Sequence, residues 1–89
     1  MRRITEHAQF RRDLRRQRRR GKDIEELILA VELLAETGLL PEGYNSHPLS
    51  GEWKSVLECH IEPDWLLIYE VTPDEVLLIR IGTHRDLFG

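Results

Sequence analysis

The chain has 89 residues, of which 40% are hydrophobic and 33% are charged, the balance of a small globular domain rather than of a disordered segment. No apolar run is long enough to span a membrane, and the residues after Met1 lack the apolar core of a signal peptide, so we expect a cytoplasmic protein made of one domain, residues 1–89. The single cysteine, Cys59, excludes an internal disulfide framework and metal clusters built on cysteine.

The net charge of −3 hides a strong asymmetry along the chain. Residues 1–22 hold ten of the 13 Lys and Arg against two acidic residues, a balance of +8. Residues 23–89 hold three basic and fourteen acidic residues, a balance of −11. The basic end suits a nucleic-acid phosphate backbone, although a solvated helix face rich in arginine has the same composition.

The N-terminal half predicts a short strand followed by two helices. Residues 2–5 carry only a weak strand signal, because Ile4 is their single large apolar residue. From His7 to Arg20 the composition favours a helix, in which Phe10 and Leu14 form a narrow apolar stripe at i, i+4 spacing. Arginines cover most of the remaining circumference of this helix.

The second helix is predicted from Ile24 to about Thr37, and both of its ends are marked in the sequence. Asp23 is placed to act as the N-cap, and Glu26 three residues later completes a capping box. The apolar residues between the ends follow the i, i+3, i+4, i+7 spacing of a helix that buries one face. Gly38 ends the helix.

The C-terminal half predicts a three-stranded antiparallel meander. Residues 39–51 are typical of a loop, and Trp53 to Ile61 alternate between an apolar and a polar face. Trp65–Val71 is a continuous apolar run, as in a strand buried on both faces, whereas Val76–Ile81 gives the third strand and residues 82–89 a tail. We therefore expect an α+β fold, with two N-terminal helices packed on a small antiparallel sheet whose other face is available for a ligand.

The meander topology brings several polar side chains to one end of the sheet. His60 and Asp64 flank the hairpin between the first two strands. The third strand runs back toward that hairpin, so Arg80 and His84 arrive there as well. His47 precedes the first strand, and only its flexible loop can bring it across.

Two or three histidines, an aspartate and an arginine suit metal-free cleavage of RNA. A pair of histidines can take a proton from the ribose 2′-hydroxyl and give one to the 5′-leaving oxygen. A fixed arginine stabilises the charge of the phosphorane-like transition state, and an aromatic ring can hold a splayed base. Composition and spacing leave two alternatives open, namely a zinc site formed by the three histidines with Asp64 and a plain RNA-binding module.

Three ordered motifs resemble the YafQ branch of the RelE toxin superfamily. They are H-P-L-x-G-x-W from His47, H-x-E-P-D-W-x-L-I-Y from His60 and G-T-H-x-x-L-F-G from Gly82, at the spacing of that family. The close resemblance covers about half of the chain, and the rest agrees in layout, which implies the RelE-like fold. It also implies a ribosome-dependent mRNA endoribonuclease toxin of a type II toxin–antitoxin pair, which cuts translated mRNA in the ribosomal A site without a metal and leaves a 2′,3′-cyclic phosphate.

Carried over by position, the resemblance assigns the cleavage chemistry to six side chains. Four of them match the acid–base residues of the family: His47, His60, Asp64 and His84. Arg80 matches the arginine that stabilises the phosphate, and Phe88 matches the aromatic residue that helps to hold the substrate. We prefer His84 as a principal proton-transfer group. Glu58 stands where some relatives carry an aspartate and receives no role.

The resemblance also implies partners. The residues expected to contact ribosomal RNA phosphates are Arg11, Arg12, Arg15, Arg16, Arg19 and Lys54. We expect the 70S ribosome with its mRNA and a cognate antitoxin of the ribbon-helix-helix type as partners, with no cofactor, metal or membrane. Antitoxin binding is the alternative use of the arginine run, and a non-enzymatic inhibitor like the gyrase-poisoning ParE relatives is the alternative function on this fold.

Overall fold

The structure is a computed structural model that describes residues 1–49 and 55–89. The helices within these ranges are α1 Ala8–Arg19, α2 Ile24–Thr37 and α3 His84–Phe88, with a 3₁₀ turn at Glu42–Tyr44. The strands are β1 Arg3–Glu6, β2 His47–Pro48, β3 Val56–Glu62, β4 Trp65–Val71 and β5 Glu75–Gly82. None of the described helices is long and apolar enough to cross a membrane.

The five strands form one sheet in the order β1-β5-β4-β3-β2. Strands β2 to β5 pair antiparallel with their neighbours, so the predicted meander is confirmed. The weakly predicted N-terminal strand joins this sheet in parallel, with Ile4 opposite Val76. Parallel neighbours require a long connection, which α1, α2 and the rest of the sheet supply here. The predicted α+β class, with helices packed on a mostly antiparallel sheet, is confirmed.

Alternation along β3 decides which of its side chains join the core. Cys59 and Ile61 are buried in the core, whereas Glu58 and His60 project from the other face of the strand. From Trp65 to Tyr69 every residue of β4 is buried, as predicted for a central strand. The helices contribute apolar side chains to the same core cluster: Phe10, Leu27, Ala30, Val31 and Leu34.

Three local details differ from the predictions. Asp23 is the N-cap of α2, but its carboxylate accepts the amide hydrogen of Glu25 at 3.1 Å rather than that of Glu26. The predicted loop contains the 3₁₀ turn and β2, and the predicted tail contains α3. Strand β2 depends on its pairing with β3, which the composition of the loop does not reveal. Helix α3 has only five residues, too few to show a helical period.

Candidate active site

The C-terminal helix α3 forms because Thr83 and Asp86 cap its first turn reciprocally. The Thr83 hydroxyl accepts the amide hydrogen of Asp86 at 3.1 Å, and the Asp86 carboxylate accepts that of Thr83 at 3.0 Å. His84 and Phe88 are four residues apart and share one face of α3, with ring centroids 6.4 Å apart. A Cβ atom at Gly82 would lie 2.8 Å from the Cβ of Asp86, so the close return of α3 onto the end of β5 requires glycine there.

Asp86 also ties α3 to α1. Its carboxylate oxygens accept hydrogen bonds from Nη1 and Nη2 of Arg20 at 2.5 and 2.9 Å, and Nη1 of Arg16 lies 3.5 Å away. The bonds from Arg20 hold the pKa of Asp86 well below its usual range, against the opposing effect of burial. Arg16, which was predicted to contact ribosomal RNA, therefore has an acidic partner inside the molecule.

His84 and Asp64 form an exposed pair. Oδ1 of Asp64 lies 2.5 Å from Nδ1 of His84 and accepts the backbone amide hydrogen of the same residue at 2.9 Å. The backbone hydrogen bond and then the side-chain one lower the pKa of Asp64, so this carboxylate is ionised and the shared proton belongs to Nδ1. The Nε2 atom of His84 is the ring nitrogen that remains for a substrate, on a side chain that is 54% exposed.

His60 lies beside His84 at the hairpin between β3 and β4. Its Nδ1 donates to the carbonyl oxygen of Pro63 at 3.2 Å, so the neutral ring has its lone pair at Nε2. The ring centroids of His60 and His84 are 6.0 Å apart, and those of His60 and His47 are 6.4 Å apart. The structure therefore brings three histidines into a row, which Phe88 extends.

His47 joins this row through strand pairing rather than through a flexible loop. Strand β2 pairs with β3 so that His47 stands opposite Glu58. Nδ1 of His47 donates to the carbonyl oxygen of Asn45 at 2.8 Å, and its Nε2 lies 3.3 Å from Oε1 of Glu58. The same oxygen is 3.9 Å from Nε2 of His60, so one carboxylate faces both rings.

Glu58 belongs to the candidate site, although no role was predicted for it from the sequence. Its side chain is only 11% exposed, which is uncommon for a carboxylate. The signal was available, because the alternation of β3 places Glu58 on the same strand face as His60, two residues later.

Arg80 is held by Asp13, a carboxylate of α1. Nε and Nη2 of Arg80 donate to Oδ2 and Oδ1 of Asp13 at 2.7 and 3.2 Å. Asp13 is buried and also accepts hydrogen bonds from the side chain of Gln9 at 3.0 Å and the amide of Ile81 at 3.2 Å. Burial raises the pKa of Asp13, but the hydrogen bonds outweigh burial and hold this pKa below its usual range. An arginine within an apolar strand requires a partner, and α1 supplies it.

Arg80 is also in register, across the sheet, with His47 of the histidine row. Ile68 of β4 pairs with Arg80 on one side and with Glu58 on the other, and Glu58 pairs with His47. Neighbouring strands lie about 4.8 Å apart, so the backbones of Glu58 and Arg80 are separated by about 10 Å. Directly paired residues project from the same sheet face, so one extended RNA segment can contact both regions.

Gln17 links α1 to the strands that carry the site. It is buried, accepts the indole N–H of Trp65 at 3.0 Å and donates to the carbonyl oxygen of Ile81 at 3.4 Å. Asp13 and Gln17 are one helical turn apart. Asp13 accepts from the backbone N–H of Ile81 and Gln17 donates to its carbonyl oxygen, at a position of β5 beyond the end of β1. Neither residue was predicted from the sequence to have a role, although Asp13 follows the apolar Phe10 by three residues and Gln17 follows Leu14 by three.

The outward side of α1 is basic. Its exposed arginines are Arg11, Arg12, Arg15, Arg16, Arg18 and Arg19. Arg11 donates to the carbonyl oxygen of Glu6, and Arg12 donates to the side chain of Gln9. Lys54, a further predicted RNA contact, lies outside the described residues, as does Trp53, where the first meander strand was predicted to begin.

The histidine row is a surface feature rather than an enclosed pocket. An apolar groove of about 180 Å³ lies elsewhere, between β1, α1 and α2. Over residues 1–49 and 55–89, no three His, Cys, Asp or Glu side chains are arranged to hold a metal ion. An open row of imidazoles beside an arginine can contact a large polyanion and exchange protons with it.

Comparisons with known proteins place this chain among bacterial toxins. The sequence profile of a family described as "Bacterial toxin of type II toxin-antitoxin system, YafQ" matches residues 2–89. The mRNA interferase toxin YafQ of Escherichia coli (strain K12) is 40% identical over 87 residues, which cover 97% of this chain and 95% of that protein. A crystal structure of the E. coli DinJ-YafQ complex has a TM-score of 0.92 at 40% identity and full coverage of both chains. A crystal structure of a metal-bound toxin from Helicobacter pylori has a TM-score of 0.90 at 36% identity, covering 99% of this chain and 100% of that one.

Proposed function

Since this chain belongs to the YafQ family of bacterial toxins of type II toxin–antitoxin systems, we propose that it is an endoribonuclease that cuts translated mRNA in the ribosomal A site. The observation that carries the proposal is the pair of His84 and Asp64, with the ring of His60 6.0 Å from that of His84 on an exposed surface. The mRNA interferase activity named for the E. coli relative supports the same chemistry.

Cleavage needs one group that takes a proton and another that gives one. The ribose 2′-oxygen loses its proton as it attacks the adjacent phosphorus, and the 5′-oxygen gains a proton as its bond to phosphorus breaks, which leaves a 2′,3′-cyclic phosphate. His84 is a principal proton-transfer group, because Asp64 holds the proton on Nδ1 and leaves Nε2 for the substrate. His60 and His47 belong to the same row, and one of them supplies the second proton-transfer group.

The remaining tasks are to stabilise the phosphate and to hold the RNA. Arg80 stabilises the negative charge of the transition state through the N–H groups that Asp13 does not engage. Phe88 is 54% exposed and stacks on a base next to the cleaved bond. No step of this scheme uses a metal ion or a cofactor.

The proposed partners follow from charge and from the family. Ribosomal RNA phosphates contact the exposed basic side of α1 together with Lys54, so binding weakens as the salt concentration rises. A co-expressed antitoxin with a ribbon-helix-helix DNA-binding part covers the toxin when growth is not arrested. The complex of DinJ with YafQ in E. coli supports an antitoxin partner.

The test is cleavage of a defined mRNA on programmed 70S ribosomes by the purified protein and three variants. We expect the wild type to cut within the reading frame. The cleavage rate should fall by about 100-fold or more in His84→Ala and in Arg80→Ala. The matched control is His7→Asn, because His7 lies outside the row and caps α1 with its side chain, a task that asparagine can perform. This control should cut like the wild type.

Each alternative predicts a different result. If His84→Ala and Arg80→Ala cut as fast as the wild type, the site assignment is wrong. Gyrase inhibition without RNA cleavage would favour the ParE-like function, and RNA binding without cleavage would favour a binding module. Loss of cleavage after transition metals have been stripped from the purified protein, with the Mg²⁺ that holds 70S ribosomes together kept in the assay, would favour a metal-dependent reaction. Equal cleavage of free mRNA would contradict ribosome dependence.

A further inference from the structure

The guanidinium group of Arg80 has two edges that can each contact an anion, and Asp13 occupies one of them. Nε and Nη2 donate to the two carboxylate oxygens of Asp13 at 2.7 and 3.2 Å. The planar group carries five N–H donors, so this contact leaves Nη1 and the second N–H of Nη2 on the other edge. The Arg80 side chain is 29% exposed, so part of it remains open to a phosphate.

Asp13 is held in place by more than Arg80. Its side chain is 1% exposed and accepts hydrogen bonds from the side chain of Gln9 and from the amide of Ile81. Because Ile81 follows Arg80 in β5, the carboxylate fixes the guanidinium against the strand that carries it. An arginine side chain that is free in solution loses rotamer freedom when it binds an anion, and a side chain that is already fixed avoids this cost.

We propose that, in the reaction proposed above, Asp13 is a positioning residue that fixes Arg80 so that its Nη1–Nη2 edge meets the scissile phosphate. Asp13 does not touch the RNA in this scheme and acts through Arg80. The competing explanation is a purely structural ion pair that joins α1 to β5. The two explanations differ in what happens to the rate of a protein that is still folded.

The experiment compares Asp13→Asn with Val31→Ala in the cleavage assay on programmed ribosomes. Asparagine keeps the size of the side chain but removes its charge and one of the two oxygens that accept hydrogen bonds from Nε and Nη2 of Arg80. Val31 is buried in α2, so Val31→Ala lowers stability through the core and serves as the control for a structural effect. Both variants are assayed well below their midpoints of thermal unfolding.

We expect kcat of Asp13→Asn to fall by about 10- to 100-fold, less than the 10²- to 10³-fold loss typical of deleting a transition-state donor. We expect KM to change by less than about threefold, because the fixed edge acts mainly on the charge that develops in the transition state. Val31→Ala should keep the kcat of the wild type. In an Arg80→Lys background, Asp13→Asn should lower kcat no further, because lysine has no planar pair of N–H donors to position.

Two further measurements keep the proposal open to refutation. The Nε–H resonance of Arg80 in NMR spectra should be protected from exchange in the wild type and lose that protection in Asp13→Asn. If Asp13→Asn does not fold, Asp13→Glu keeps the charge but displaces the carboxylate by one methylene group, and it should also lower kcat.

The outcomes separate this inference from the proposed function. A folded Asp13→Asn with unchanged or higher kcat, or an equal loss of kcat in Val31→Ala, overturns the positioning role while mRNA cleavage by the wild type stands. An unchanged kcat in Asp13→Glu overturns it in the same way. If the wild type cuts no mRNA, the proposed function fails, and the positioning role fails with it.

Discussion

Replacing Gln17 by methionine tests how firmly α1 is attached to the strands of the site. Methionine fills a similar volume, so Gln17→Met removes the acceptor of the Trp65 indole N–H, now 3.0 Å away, without a large cavity. Both side chains are fully buried, so water does not replace the lost partner. A buried donor without a partner costs about 1–3 kcal/mol, and the longer contact to the Ile81 carbonyl adds little.

We therefore expect the free energy of unfolding to fall by about 2 kcal/mol, which lowers the midpoint of thermal unfolding by roughly 8–16 °C for a domain of this size. The measurement is urea unfolding followed by circular dichroism, in which the midpoint should fall while the slope m stays constant. A double-mutant cycle with Trp65→Phe isolates the hydrogen bond between Gln17 and Trp65 and should give a coupling free energy of about 1–2 kcal/mol. A loss below about 0.5 kcal/mol for Gln17→Met, or additive effects in the cycle, would refute this reasoning.

Three other predictions concern two side chains of the site and the pH dependence of stability. Glu58→Gln removes the charge that faces two imidazoles and should lower kcat by about 10- to 100-fold with an unchanged melting temperature, as measured in the ribosome assay and by calorimetry. Phe88→Ala should lower cleavage by about tenfold, whereas Phe88→Tyr keeps the ring and should cut like the wild type, because stacking on one base contributes about 1–3 kcal/mol. Folding lowers the pKa values of Asp13 and Asp86, so the stability that these carboxylates contribute is complete above pH of about 4 and is lost as the pH falls through their lower folded values. Urea midpoints between pH 7 and pH 3 should show the onset of this loss, and Asp86→Asn should make the dependence shallower.

Each of these predictions has a contradicting result. Full activity of Glu58→Gln would return Glu58 to a merely structural role. Equal activity of the alanine and tyrosine variants at Phe88 would exclude stacking. A urea midpoint that does not change between pH 7 and pH 3 would show that the two carboxylates contribute no net stability.

Local patterns were sufficient to predict the main elements and the convergence of the polar groups. The spacing of Phe10 and Leu14 predicts α1, and the alternation around His60 predicts β3 with its core and solvent faces. Because an antiparallel meander reverses at each turn, the positions of Asp64 and His84 in the sequence are enough to place them at one end of the sheet. In the structure the two side chains are in contact.

The sequence by itself therefore determined the two long helices, the meander and the histidine-rich end, since periodicity, caps and turns act over a few residues. Only the tertiary structure decided that His47 enters the row by pairing with β3, that Glu58 faces two rings, and that Asp13 is the partner of Arg80. A buried polar group must find a partner, but which partner it finds depends on how elements distant in the chain pack together. Asp13 and Arg80 are 67 residues apart, a distance over which no local pattern extends.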